Sequence, residues 1–125
     1  MRVVFAVGVA SALGGLCRYA IGGAVARRNS SAFPWETFLV NVTGAFVLGL
    51  LFVLSTERYT VAPWIRAAVL VGFIGSYTTF STWTLESWRL IEDGAYGVAL
   101  ANLFGSLAAG LAATYAGIVV GRVLT

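Results

Sequence analysis

Four long apolar stretches, separated by short polar segments, dominate the pattern of this 125-residue chain. They lie at about residues 3–26, 37–55, 64–91 and 97–121. Each is near or above the roughly 20 residues that a helix needs to cross the hydrocarbon core of a bilayer. The connections after the first are short, so neighbouring helices should run antiparallel. The pattern predicts an all-α membrane protein with four transmembrane helices in a single domain, residues 1–125.

The third apolar stretch contains a glycine-punctuated, hydroxyl-rich segment, residues 72–83, with the sequence GFIGSYTTFSTW. Backbone polar groups at membrane depth must be hydrogen-bonded, so irregular backbone is tolerated there only where protein buries it or where it lines a wet cavity. We therefore expect the third helix to be broken near mid-membrane. The hydroxyl groups beside the break are expected to form a polar track.

The fourth stretch carries a small residue at every fourth position, a spacing that allows helices to approach closely in membranes. We expect these residues to form one packing surface along the whole helix: Gly97, Ala101, Gly105, Ala109, Ala113, Gly117 and Gly121. Asn102 and Ser106, also four apart, form a short polar strip beside it. This strip either bonds across a helix interface or lines a path.

Composition agrees with a membrane protein, since 59% of the residues are hydrophobic and only 10% are charged. Arg2 before an apolar run resembles the start of a signal peptide, but the apolar pattern continues to Ala26, which favours a retained span. Histidine and lysine are absent and Cys17 is the only cysteine. An intrachain disulfide, zinc chemistry and histidine-based catalysis are thereby excluded, and neither an enzyme nor a nucleic-acid partner is expected.

Arginines are almost equally divided between the two predicted sides of the membrane. Four fall on the side of the N-terminus and three on the other: Arg2, Arg58, Arg66 and Arg122 against Arg27, Arg28 and Arg89. Because orientation follows the arginine and lysine bias of short loops, this balance predicts dual topology, with two copies pairing antiparallel. A weakly biased single orientation is the alternative. A protomer this small also needs a second copy to cover any polar site.

Two polar residues in the first two spans are candidates for function. Arg18 is an ionisable residue inside the first span, which is costly and therefore indicates a function unless the side chain reaches the nearer interface. Asn41 lies in the second span, on the same face as Thr37 and Gly44. Its amide can donate two hydrogen bonds, which suits either an anion that sheds water or an interhelical clasp.

The third span places aromatic and hydroxyl side chains side by side. Phe80 and Trp83 are three residues apart and share a face, while Thr79 and Thr82 share the adjacent one. An aromatic ring has a positive edge, so these rings either favour a small anion or pack in a core. Glu86 lies one turn further on, and Arg89 is placed to neutralise it. An unpaired Glu86 would oppose the access of anions.

Three motifs resemble those of the Fluc (CrcB) fluoride channels, and the resemblance spans the whole chain. They are residues 14–19 (GGLCRY), 37–44 (TFLVNVTG) and 72–82 (GFIGSYTTFST). The resemblance implies a dual-topology dimer in the cell's inner (plasma) membrane, with two parallel fluoride pores and a structural sodium ion at the dimer centre. Its role would be passive export of cytoplasmic fluoride.

The resemblance also implies roles for particular residues. Asn41 and the rings of Phe80 and Trp83 would contact fluoride, and backbone carbonyls of Gly75 and Thr78 from both protomers would hold sodium. Hydroxyl groups along each pore would come from Thr79, Ser81, Thr82 and, on a looser alignment, Ser106. Arg18 would supply positive potential at a vestibule that also contains Glu86.

Two positions depart from the family's usual pattern. Trp83 stands where phenylalanine is most common, and Ser76 replaces a frequent glycine in the break. An indole is larger than a phenyl ring and adds an N–H donor. The pore at Trp83 is therefore expected either to be narrower or to hold the anion by a hydrogen bond instead of a ring edge.

Two other classes of membrane protein are compatible with four short helices and balanced charge. A proton-coupled multidrug-type transporter needs a membrane-embedded carboxylate, and Glu86 is the only intramembrane candidate, since Glu36 lies at the edge of its span. A non-transporting assembly subunit would use the fourth helix for packing but would leave the polar third span unexplained. The sequence leaves open whether the dimer is homomeric or includes a sister protein of opposite orientation.

Overall fold

The computed structural model describes residues 1–124, which are helical apart from short connections and contain no β-strand. Five helices follow one another: α1 (Arg2–Ala26), α2 (Trp35–Arg58), α3 (63–77), α4 (Phe80–Glu92) and α5 (Tyr96–Val123). Three of them, α1, α2 and α5, are long and apolar enough to cross a membrane. The prediction of an all-α membrane protein is in keeping with this architecture.

The third predicted span is divided between α3 and α4. Thr78 and Thr79 separate the two helices and have extended backbones, with φ/ψ of −85°/159° and −147°/118°. Neither helix alone has the roughly 20 residues of a membrane crossing. Pro63 begins α3, where its missing N–H costs nothing because the first turn of a helix has no partner for that group.

Three helices contain turns with π-type hydrogen bonds. The turns are Leu54–Arg58 at the end of α2, Ala67–Ile74 within α3 and Ala101–Gly105 within α5. Such turns are uncommon and often lie at functional sites. The turn in α5 contains Asn102, whose side chain is completely buried.

The most extensive helix contacts join α2 to α5 and α1 to α3. Glycines allow both. A Cβ added at Gly117 would collide with the Phe46 carbonyl, and one at Gly49 would collide with the Thr114 carbonyl. In the other pair, a Cβ at Gly14 would meet the Phe73 carbonyl. These helices therefore approach backbone to backbone, which only glycine permits at these positions.

Within the single chain, the stripe of small residues in α5 does not pack on α2 along its whole length. Gly117 and Gly121 are buried against α2, but nothing lies within 4 Å of a Cβ added at Gly97 or Gly105. The reason is geometric. Residues four apart in an α-helix are offset by about 40° because each turn has 3.6 residues. A stripe of seven members therefore winds well away from the helix that its last members contact.

Few large apolar side chains are buried in the single chain. The buried ones include Val40, Val53 and Ile74, whereas large apolar side chains are exposed on every helix. A soluble monomer rarely exposes so much apolar surface. In a bilayer this surface contacts lipid or another protein chain.

Candidate functional site

The interruption between α3 and α4 is held by side chains of its own threonines. At the end of α3, the Thr78 hydroxyl donates to the Ile74 carbonyl at 3.1 Å. At the start of α4, Thr79 Oγ1 accepts from the Thr82 N–H at 3.3 Å and donates to Thr82 Oγ1 at 3.0 Å. Threonine suits this N-cap position because its hydroxyl satisfies an N–H that the first turn leaves unpaired.

Asn41 of α2 clasps the interruption through both ends of its amide. Its Oδ1 accepts from the Thr79 N–H at 2.7 Å, and its Nδ2 donates to the Thr79 carbonyl at 3.0 Å. Of the two roles considered from sequence, the structure shows the interhelical clasp. An amide nitrogen carries two hydrogens, so the clasp leaves the second N–H of Asn41 for another acceptor.

The clasp and the cap redirect two N–H groups that a continuous helix would use internally. In an α-helix, each N–H donates to the carbonyl four residues earlier. Thr79 N–H would donate to Gly75 but donates to Asn41, and Thr82 N–H would donate to Thr78 but donates to the Thr79 hydroxyl. The Gly75 and Thr78 carbonyl oxygens thereby lose their usual helical donors.

A groove of about 360 Å³, here called the first groove, lies between α2, α4 and α5 beside the clasp. Phe80 and Trp83 line it, with ring centroids 5.4 Å apart and planes inclined at 60°. Phe80 is 74% exposed in the single chain. The lining residues are Asn41, Gly44, Ala45, Leu48, Thr78, Thr79, Phe80, Trp83, Ser106, Leu107, Gly110, Leu111 and Thr114.

The polar groups of Trp83 and Ser106 are bonded to Asn102. Trp83 Nε1–H donates to the Asn102 main-chain carbonyl at 2.9 Å, and the Ser106 hydroxyl donates to Asn102 Oδ1 at 3.1 Å. In the single chain, the indole N–H therefore has a main-chain acceptor on α5. Asn102 bonds across the α4–α5 contact, whereas Ser106 bonds Asn102 within α5 and lines the first groove.

A second groove, of about 490 Å³, lies between α1, α2 and α4 and contains most of the charged candidates. Arg18, Glu36 and Glu86 line it, together with Thr37 and Thr82. The Thr37 hydroxyl donates to Glu86 Oε1 at 2.8 Å, while Glu86 Oε2 is buried without a hydrogen-bond partner among residues 1–124. This groove therefore brings two carboxyl groups and one guanidinium together.

Arg89 does not neutralise Glu86, so that expectation is wrong. Within the described part of the chain no ion pair joins them; Glu86 has the Thr37 hydroxyl as its partner instead. The residues are three apart on α4, but Arg89 is exposed and Glu86 turns towards α2. One feature of the sequence indicated this contact. Thr37 lies one turn before Asn41 on the same face of α2, and that face contacts the segment that begins at Thr79.

The two grooves share one residue, Thr79, which lines both. The structure thus gathers Asn41, Phe80, Trp83 and Ser106 on one side of Thr79, and Arg18, Thr82 and Glu86 on the other. Two candidates lie elsewhere, since Ser81 and Gly75 are exposed and line neither groove. Sequence reasoning missed Ser87, a buried hydroxyl that bonds Asn102 and the Trp83 carbonyl.

Comparison with known proteins gives consistent results. A protein from Streptomyces avermitilis named "Fluoride-specific ion channel FluC 3" is 48% identical over 120 residues, covering 96% of this chain and 58% of the relative. Two further relatives are named "Fluoride-specific ion channel FluC". The one from Citrifermentans bemidjiense is 40% identical and the match covers 99% of this chain and 100% of the relative. The one from Magnetococcus marinus is 42% identical and the match covers 94% of this chain and 96% of the relative. This chain thus spans little more than half of the Streptomyces relative and nearly all of the other two.

The family model described as "CrcB-like protein, Camphor Resistance (CrcB)" matches residues 5–118. That range includes every candidate residue of both grooves. Together with relatives more than 30% identical over nearly the whole chain, the match shows that this protein is a member of the CrcB family.

Proposed function

We propose that this protein is a fluoride-selective channel that gives passive export of cytoplasmic fluoride across the inner (plasma) membrane. Membership of a channel family, not an enzyme family, supports the class of function. The single observation that carries the proposal is the Asn41–Thr79 clasp, with Phe80 and Trp83 beside it. It places an amide N–H and two aromatic rings at one polar interruption of a membrane helix.

The donor set suits a small anion that must lose water. Fluoride is strongly hydrated, so close donors must offset its dehydration, and a larger anion would not approach them equally well. Asn41 offers its second N–H, and the positive edges of Phe80 and Trp83 offer C–H groups. The hydroxyl groups of Thr79 and Ser106 would line the pore at the first groove, and that of Thr82 would line the second groove. Ser81 is exposed and would contribute its hydroxyl only where a second copy meets α4.

A second copy of the chain would complete each pore. The first groove is open at the surface of the single chain, and Phe80 beside it is largely exposed. Polar groups facing lipid are costly, so a protein surface must cover them. We propose an antiparallel homodimer with dual topology and two pores, in keeping with the near-equal arginine counts on the two sides.

Sodium would be held at the dimer centre by the Gly75 and Thr78 carbonyls of both protomers. The residues fit a hard cation, because these carbonyl oxygens have lost their usual helical donors and Gly75 is exposed, where another copy can meet it. Among residues 1–124, no cluster of three His, Cys, Asp or Glu offers an alternative metal site. A bound sodium ion would supply positive charge to oxygens that have lost their helical N–H donors.

The second groove would be the vestibule of the pore. Arg18 would attract anions there, whereas Glu36 and Glu86 would repel them. The Thr37 hydroxyl holds Glu86 in place by its hydrogen bond. The balance of these charges sets the local anion concentration and therefore the rate of permeation, but selectivity would depend on the donors of the first groove.

Fluoride efflux from liposomes tests the proposed function. Purified protein is reconstituted at low density into liposomes loaded with potassium fluoride or potassium chloride, with a potassium ionophore added so that potassium carries the compensating charge. Fluoride or chloride efflux is followed with ion-selective electrodes, with and without an imposed proton gradient. A fluoride channel gives rapid fluoride efflux, little chloride efflux and no need for the proton gradient. Efflux that requires a proton gradient would instead support the multidrug-type transporter, and no efflux of either anion from folded protein would support an assembly subunit.

A further inference from the structure

A buried hydrogen-bond network joins α4 to α5 behind the aromatic pair. Asn102 is 0% exposed and Ser87 is 2% exposed. Asn102 Nδ2 donates to Ser87 Oγ at 2.9 Å, and the Ser87 hydroxyl donates to the Trp83 carbonyl at 2.8 Å. Buried polar groups are costly when unpaired, so this fully bonded arrangement resists rearrangement.

The same asparagine also bonds the Trp83 ring. Its main-chain carbonyl accepts the indole N–H at 2.9 Å. Two connections therefore join Trp83 to Asn102. The indole N–H bonds the Asn102 carbonyl directly, and the Trp83 carbonyl is linked to the Asn102 side chain through the Ser87 hydroxyl. An indole has a single N–H. Once that group is bonded to Asn102, only C–H groups and the ring faces of Trp83 remain to line the first groove.

We propose that Asn102 is a positioning residue that fixes the Trp83 indole with its N–H turned away from the pore, so that Trp83 presents C–H groups to the anion as a phenylalanine would. The proposal rests on the proposed fluoride channel function. Asn102 does not line the first groove, so it would act on permeation through Trp83. An indole free to turn its N–H into the pore would trap a small anion by a direct hydrogen bond and slow its passage.

Hydrogen exchange of the indole N–H tests the fixation without any flux measurement. The protein has four tryptophans, and the nuclear magnetic resonance signal that disappears in Trp83→Phe belongs to Trp83. In D₂O, we expect the exchange of this N–H to accelerate about fivefold in Asn102→Ala. The main-chain acceptor of the indole remains in this variant, but the side-chain bond to Ser87 that holds this carbonyl against α4 is lost, and one hydrogen bond contributes about 1 kcal/mol. Ser87→Ala is a milder variant for use if Asn102→Ala does not fold. Thr84→Val, which removes a hydroxyl bond elsewhere on α4, is the matched control.

A double-mutant cycle tests whether the fixation acts on permeation. Fluoride efflux is measured for Asn102→Ala, or Ser87→Ala, in the wild-type and the Trp83→Phe backgrounds. We expect about a fivefold loss of efflux in the wild type and a much smaller loss in the Trp83→Phe background, where the ring has no N–H to misdirect. Equal losses in both backgrounds would overturn the proposal, because they would show a role in folding or through Ser106.

Unchanged exchange of the Trp83 N–H in both variants would also overturn it. If wild-type liposomes release no fluoride, the proposed function fails and the effect on permeation fails with it. The exchange rates would still decide whether Asn102 fixes the indole. The two failures are therefore distinguishable.

Discussion

Two regions of the molecule bring helices together in different ways: the contact between α2 and α5, and the interruption between α3 and α4. At Gly49 and Gly117 the side chain is absent, and the backbones of two intact helices meet. At Thr79 the helix is opened, and the Asn41 amide takes over hydrogen bonds that the helix gives up. The first arrangement offers stability and no polar group, whereas the second offers polar groups at the cost of helix continuity.

Replacement of the clasp should have the largest effect. In Asn41→Asp, a carboxylate still accepts from Thr79 N–H but cannot donate to the Thr79 carbonyl, and it repels an anion. Loss of a half-buried donor and the added charge should reduce fluoride efflux about 100-fold. Asn29→Asp makes the same chemical change outside the first groove, beside Glu36. It therefore measures the effect of an added negative charge without loss of the clasp. Wild-type efflux from Asn41→Asp would contradict a role for the clasp in permeation.

A methyl group in the glycine contact should reduce stability by about 1–3 kcal/mol. In Gly117→Ala the new Cβ meets the Phe46 carbonyl, so α2 and α5 must separate. The free energy of unfolding in detergent, from thermal or denaturant melts, measures the effect. Gly97→Ala is the matched control, since its Cβ meets nothing within 4 Å and alanine favours a helix. Equal stability of the two variants would show that the close approach at Gly117 is not important.

Loss of one ring from the aromatic pair should reduce fluoride efflux about fivefold, since such pairs and ring edges contribute about 1 kcal/mol. Phe80→Ile keeps the apolar character of the side chain but removes the positive edge. Phe5→Ile is a control of similar exposure, 76% against 74% for Phe80. If Phe80→Ile matched Phe5→Ile in efflux, the ring would have only a packing role.

Removal of one negative charge from the second groove should have the smallest effect. Glu86→Gln keeps an acceptor for the Thr37 hydroxyl and should raise fluoride efflux about threefold at low ionic strength. The gain should shrink in high salt because counter-ions screen the charge. Glu92→Gln, at the exposed end of α4, should change efflux less. A fall in efflux for Glu86→Gln would show that the carboxylate assists permeation.

Much of the architecture follows from hydropathy, because apolar length and short connections are properties of the sequence itself. The bounds of α1 and α5 lie within two residues of the predicted stretches 3–26 and 97–121. The glycines and threonines of residues 72–83 likewise identify where the helix opens. These features depend on local composition and need no knowledge of a partner helix.

Side-chain partners were harder to predict, because they depend on how the helices rotate against one another. Arg89 lies three residues after Glu86 in the sequence. Because α4 packs on α2, however, Glu86 accepts a hydrogen bond from the Thr37 hydroxyl. The extra N–H of Trp83 was visible in the sequence, but its acceptor is a main-chain carbonyl of another helix. The winding of the glycine stripe was foreseeable from the 3.6-residue turn alone.

Current recording from the purified protein in a planar bilayer tests most directly whether the polar interruption conducts. With both anions on both sides, fluoride more concentrated on one side and chloride on the other, we expect discrete current steps that reverse near the fluoride equilibrium potential and that Asn41→Asp abolishes. Currents that reverse at the chloride equilibrium potential, or folded protein that gives no steps, would contradict the account.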